Sequence, residues 1–151
     1  MTEIVVTPLR AGDRRRWAEL WRGYLDFYET SLADSIYEHT WQRLMAGGPI
    51  FGFAARLGGT DAPLGGITHY LFHEHAWSPS PVCYLQDLFV DPSLRGTGMG
   101  RALIERVTKA ARERDCLRLY WTTKEGNATA RLLYDRLAKF NGFIRYDYAL
   151  G

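Results

Sequence analysis

Cysteine is scarce in this chain. Its 151 residues include only Cys83 and Cys116, with no CxxC or other ligand-like spacing. A disulfide scaffold would use more, so both are expected to be reduced thiols in or near the core. Long apolar runs are also missing, and nowhere do about eighteen apolar residues stand together, so no spanning helix and no membrane partner are expected. The first residues, Met-Thr-Glu-Ile-Val-Val, lack the basic start and apolar stretch of a signal peptide, which makes the cytoplasm the expected location. Charge of one sign is lacking as well. A net charge of +2 is too small to point to nucleic acid, and Arg14, Arg15 and Arg16 read as a solvated helix start. A metal-ligand set is not evident either. His73 and His75 share one strand face, but no third ligand accompanies them, so a solvated strand end or loop is expected and no metal.

What is present suits a single globular domain over residues 1–151, with 46% apolar and 24% charged residues. Residues 4–7 read as a strand ended by Pro8. Asp13 is placed to cap a helix to about Glu29, where Trp17, Leu20, Trp21, Tyr24, Leu25 and Tyr28 form one helical stripe. That stripe reads as core, with its tyrosines able to rim a pocket. A second helix over 34–45 stops at Gly47-Gly48-Pro49. Strands are predicted over 50–57 and 64–73 around a turn at 58–63, then over 82–90 after a loop at 77–81. A helix over 98–114, a strand over 117–122, a helix over 127–140 and a final strand over 143–150 complete the series. Short connections make the middle antiparallel, and the strand–helix–strand crossover makes a parallel unit. The fold class is therefore α/β (α+β): a mixed, mostly antiparallel sheet flanked by about four helices.

The most informative stretch is Leu88-Phe-Val-Asp-Pro-Ser-Leu-Arg95-Gly-Thr-Gly98-Met-Gly100-Arg101. A strand enters a glycine-rich turn that opens a helix, where backbone N–H groups at the positive end of the dipole suit a phosphate or pyrophosphate. Gly96, Gly98 and Gly100 let the backbone approach an anion, and Arg95 and Arg101 add charge and forked donors. A P-loop would need Gly-Lys-Ser or Gly-Lys-Thr, which is absent. A dinucleotide fingerprint would need Gly-x-Gly-x-x-Gly after a first strand, whereas this turn reads Gly96-x-Gly98-x-Gly100 and comes late.

Arg95-Gly-Thr-Gly98-Met-Gly100 resembles the Arg/Gln-x-x-Gly-x-Gly/Ala signature of the GNAT acetyltransferases. About thirty residues later, Asn127-Ala-Thr-Ala130-Arg-Leu-Leu133-Tyr134 looks like that family's Asn-x-x-Ala-x-x-Leu-Tyr helix. The order of elements agrees along nearly the whole chain. Tyr84-Leu-Gln-Asp-Leu-Phe-Val and Trp121-Thr-Thr-Lys-Glu-Gly-Asn127 look most like the branch with the yeast histone and polyamine acetyltransferases.

The resemblance implies acetyl-CoA as co-substrate. Leu88, Phe89 and Val90 are then expected to offer backbone groups to the acetyl and pantetheine part, in a fork between the strands over 82–90 and 117–122. Arg95, Gly96, Thr97, Gly98, Met99, Gly100 and Arg101 would wrap the pyrophosphate. Asn127 would reach the pantetheine arm, and Tyr134 would face the CoA sulfur as general acid.

Direct acetyl transfer needs a neutral amine, yet less than about 1% of an alkylamine is neutral at pH 7. A base or a dry site therefore helps. The N–H of Leu88 or Phe89 is a candidate oxyanion donor. Gln86 stands where the similar polyamine enzymes have Glu. Its amide is no base but can orient a water. Asp87 is a carboxylate that strand alternation turns to the opposite face unless a bulge intervenes. A single base and an ordered-water relay both remain open. The expected acceptor is a small-molecule amine or a lysine-containing peptide, and Asp26, Glu29, Glu74 and Asp87 are acids that would favour a cation. The rival reading is a CoA-binding regulatory protein without catalysis. The final strand lacks an in-chain partner, which suggests a homodimer.

Overall fold

The computed structural model describes residues 3–151. The chain divides into two compact units, Met1–Trp121 and Thr122–Gly151.

The first unit carries a five-stranded sheet in the order β1 (Ile4–Pro8), β2 (Phe51–Leu57), β3 (Leu64–His75), β4 (Ser78–Val90), β5 (Leu119–Tyr120). Neighbours are antiparallel up to β4, and β4–β5 is parallel. Three helices belong to this unit: α1 (Arg14–Phe27), α2 (Asp34–Ala46) and α3 (Met99–Glu113). The fold is α/β with a mixed sheet, as the element order predicts.

The Trp17, Leu20, Trp21 and Leu25 stripe of α1 buries against Trp41 and Leu44 of α2 and against Ala54, Leu64 and Ile67 of the sheet. Each leucine or isoleucine among them contributes about 1.5–3 kcal/mol by leaving water. Helix α1 comes close to β4 at Gly23, where a Cβ would fall 2.8 Å from the Phe89 ring. The stripe Met99, Leu103, Ile104, Val107 and Ala111 of α3 is buried; α3 is the crossover joining β4 to its parallel neighbour β5.

In the second unit α4 (Ala128–Leu137) begins after Asn127.

Several boundaries differ from the sequence reading. Residues 78–81 are strand rather than loop, because β3 and β4 form one long hairpin turning at Ala76 and Trp77 with His75 paired to Ser78. Asp13 precedes α1 but its side chain makes no capping bond. It accepts from the Arg10 backbone N–H at 2.9 Å and pairs with the Arg56 guanidinium, which is 4% exposed. A buried arginine needs that carboxylate more than the helix needs a cap. The final strand is not formed: residues 143–150 have no regular structure, and Phe143, Ile144, Tyr146, Tyr148 and Leu150 are exposed. Their alternation has no neighbouring strand to satisfy its backbone groups.

Candidate active site

Strand β5 pairs only with Cys83 and Tyr84 of β4. The bonds on either side, Cys83 N–H to Arg118 O at 3.0 Å and Leu117 N–H to Pro81 O at 2.8 Å, lie at that same end. Strand β5 ends at Tyr120, the partner of Tyr84. The stretch Leu85–Val90, which carries Leu88, Phe89 and Val90, lies beyond that pairing. Leu88 and Phe89 are half-buried and Val90 is buried.

At the end of β4, Asp91 accepts from both the backbone N–H and the hydroxyl of Ser93 in a short turn, Pro92–Leu94. The chain then enters α3 through Gly96 and Gly98, at φ of +80° and +91°. Those angles suit glycine, and a Cβ at Gly96 would meet nothing within 4 Å, so the turn faces open space. Gly100 and Arg101 lie in the first turn of α3, whose leading N–H groups have no partner within the helix. Arg95 is exposed and reaches the Val90 carbonyl at 3.4 Å, Thr97 donates to Leu94 O at 2.6 Å, and Arg101 pairs with Glu105 at 2.9 Å. Met99 is different. It is 1% exposed and anchors the turn in the core rather than offering its side chain to a ligand.

The register explains Gln86 and Asp87. His69 pairs with Asp87 and Tyr70 with Leu85, so Gln86 is an extra residue in a β-bulge. Gln86 is exposed, whereas Asp87 is buried. The Asp87 carboxylate accepts from His69 Nδ1 at 2.8 Å, and His69 Nε2 accepts from Trp17 Nε1–H at 2.9 Å. Tyr24 of α1 donates from its hydroxyl to the Gln86 carbonyl at 3.4 Å, beside Asp87. Burial, then the Asp87 charge, push its phenol far above the ordinary value. Towards β5, Tyr84 stacks on Tyr120 at 4.8 Å, and the Tyr120 hydroxyl lies 3.0 Å from His73 Nε2. Tyr24, Tyr84 and Tyr120 thus all contact this end of β4 or its partner strand, close to the bulge that carries Asp87.

Chain comparison agrees with this geometry. The model of the Acetyltransferase (GNAT) family matches residues 15–140. The chain belongs to the GNAT acetyltransferase family. It is 32% identical over 135 residues to the D-amino-acid N-acetyltransferase HPA3 of Saccharomyces cerevisiae, covering 89% of this chain and 84% of that protein. It is 27% identical to a thialysine N-epsilon-acetyltransferase of Caenorhabditis elegans over 61% of this chain and 55% of the relative. The fold is similar to that of the aminoglycoside N-acetyltransferase AAC(6')-Iy in complex with CoA, with a TM-score of 0.84, 16% identity, and coverage of 100% of this chain and 97% of the other. The acetyltransferase is an acyltransferase that uses acetyl-CoA to acetylate an amine. The yeast relative is named for D-amino acids, not for histones or polyamines.

Asn127 and Tyr134 lie in the second unit. Asn127 stands at the start of α4, and its amide donates to Thr123 Oγ1 at 3.1 Å. Tyr134 is half-buried on α4, where its carbonyl accepts from Ala138 N–H at 2.9 Å. Of the other acids that favoured a cation in the sequence, Asp26, Glu29 and Glu74 are exposed. Among the described residues no group of three His, Cys, Asp or Glu side chains could hold a metal, and no helix is long and apolar enough to cross a membrane.

His69 and Trp17 were missed in the sequence. His69 sits between Ile67 and Leu71 on a strand face, and Trp17 reads as core. A histidine interrupting an apolar alternation was the available signal.

Proposed function

We propose that this chain acts as one acetyltransferase domain whose acceptor is a small cationic amine or amino acid, held by Asp87 at the β4 bulge. One observation carries the reading: the Asp87 carboxylate at the β4 bulge is held by His69, and its charge acts on Tyr24. A carboxylate among aromatic rings suits an ammonium through charge and cation–π attraction. The relatives named for D-amino acids and thialysine support an amino-acid acceptor.

In the reaction, the ammonium held by Asp87 first gives one proton to water. The neutral amine then attacks the thioester carbonyl and the C–S bond breaks. The amine loses a proton and the departing CoA thiolate gains one. The exposed turn from Arg95 to Arg101 would hold the pyrophosphate, with the dipole of α3 and the glycine backbone doing the binding. We assign Leu88 or Phe89 N–H to the oxyanion, Asn127 to the pantetheine arm and Tyr134 to protonation of the thiolate. Gln86, at the exposed crest of the bulge, would orient a water that relays the amine proton.

The test is thiol release from acetyl-CoA across D- and L-amino acids, thialysine, polyamines, aminoglycosides and lysine peptides. A small amine or amino acid should turn over best, and Asp87→Asn should raise its KM. No turnover with any amine would favour the CoA-binding rival instead. We also propose that the exposed apolar side chains of 143–150 pair between two copies. Light scattering at micromolar protein should then give a dimer mass.

A further inference from the structure

The acceptor site contains a buried hydrogen-bond chain that runs from α1 through β3 to β4. Trp17 is 1% and His69 1% exposed, and both lie behind Asp87. An indole N–H only donates, so the 2.9 Å contact between Trp17 Nε1 and His69 Nε2 makes that nitrogen an acceptor. A neutral imidazole accepting at Nε2 carries its proton on Nδ1, and Nδ1 stands 2.8 Å from Asp87 Oδ2. The indole thereby decides which way the imidazole donates. The Asp87 backbone is held too, because its carbonyl accepts from Thr68 Oγ1 at 2.8 Å. Rings keep the imidazole from turning: Trp17 and Trp21 lie with centroids 6.0 and 5.5 Å from it.

We propose that Trp17 and His69 are positioning residues for the acceptor: Trp17 fixes the His69 tautomer, and His69 Nδ1–H fixes one Asp87 oxygen so that the rest of the carboxylate meets the acceptor ammonium. This rests on the reading of Asp87 given above. Neither residue touches acetyl-CoA or the reacting atoms in this scheme. The pair acts on the amine alone. A wrong tautomer would place two lone pairs, from Nδ1 and from Oδ2, against each other, and the carboxylate would turn away.

The experiment uses four variants of the full chain. Trp17→Phe keeps an aromatic ring and removes the N–H. His69→Leu removes the donor, whereas His69→Asn keeps an N–H near the position of Nδ1. Asp87→Asn tests the underlying reading. The readouts are the KM for the amine, the KM for acetyl-CoA, kcat, and the side-chain nitrogen NMR signals of His69, which distinguish the tautomers.

Wild-type signals should show a protonated Nδ1 and a bare Nε2. Trp17→Phe should mix the two tautomers and raise the amine KM about tenfold, the usual worth of a hydrogen bond to a charged group, with the acetyl-CoA KM unchanged. His69→Leu should do the same, and His69→Asn should recover most of the loss. If Asp87→Asn leaves the amine KM unchanged, the acceptor reading itself fails. If Asp87→Asn raises it but Trp17→Phe mixes the tautomers without moving it, the positioning role is overturned and the acceptor reading stands. An Nε2-protonated imidazole in the wild type also overturns it. Should Trp17→Phe not fold, equal amine KM values in His69→Leu and His69→Asn would have the same consequence.

Discussion

Arg16 of α1 holds Asp91 at the end of β4, with 2.6 Å between Nη2 and Oδ2, while its Nε donates to the Leu64 carbonyl at 2.9 Å. One guanidinium thus ties the start of β3 and the entrance of the glycine turn to α1. Hydrogen bonds from Ser93, then Arg16, lower the Asp91 carboxyl from 3.8 to about 2. Because the folded value lies below the unfolded one, its stabilisation is fully present above about pH 4 and is lost as pH falls towards 2. The side chain is 25% exposed, so screening reduces it to about 1 kcal/mol. Asp91→Asn should lower Tm at pH 7 by roughly 3 °C, and the difference from wild type should close near pH 2. A gap that persists at pH 2 would contradict this account.

The turn offers a direct test of the cofactor site. Gly98→Glu places a side chain at φ +91° and a negative charge where the pyrophosphate would lie. CoA binding measured by calorimetry on the folded variant should be abolished. Unchanged affinity would mean that the pyrophosphate binds elsewhere.

Tyr134→Phe deletes one hydroxyl and keeps the ring. If the phenol protonates the leaving thiolate, kcat should fall by roughly 10²–10⁴-fold with little change in the acetyl-CoA KM. A packing role instead predicts a lower Tm with turnover nearly intact. Both are measured on one preparation, and retention of more than about half the turnover rules out the acid role.

The two thiols should differ in reactivity. Burial, then the neighbouring Cys116, pushes Cys83 up to about 12, so about one part in 10⁴ is thiolate at pH 8. A disulfide reagent should modify Cys116 in the native protein and Cys83 only after unfolding. Rapid loss of both thiols from folded protein would show that the β4–β5 junction opens.

Period and motif made the elements legible. The α1 and α3 stripes, the hairpin turn at 58–63 and the glycine turn were readable because each rests on local spacing. The polar chain from Trp17 through His69 to Asp87 was not. Its geometry depends on strand register, and a single bulged residue, Gln86, decides which face Asp87 takes. Arg56 was hidden for the same reason, since a strand arginine reads as solvent-facing until its partner, 43 positions away, is known. The terminal strand failed because alternation describes a face but supplies no neighbour to pair with.

The tryptophan cluster beside His69 has an optical consequence. Trp17 lies 5.4 Å from Trp21 and 4.9 Å from Trp41, in a buried core that reaches His69 through one hydrogen bond. Trp77 is 88% exposed, so its emission belongs at longer wavelength. Replacing Trp77 with Phe would remove that exposed emission and leave the buried indoles together with the half-buried Trp121. If the amine binds at Asp87 as proposed, its arrival would then register as a change in ultraviolet emission without any attached label.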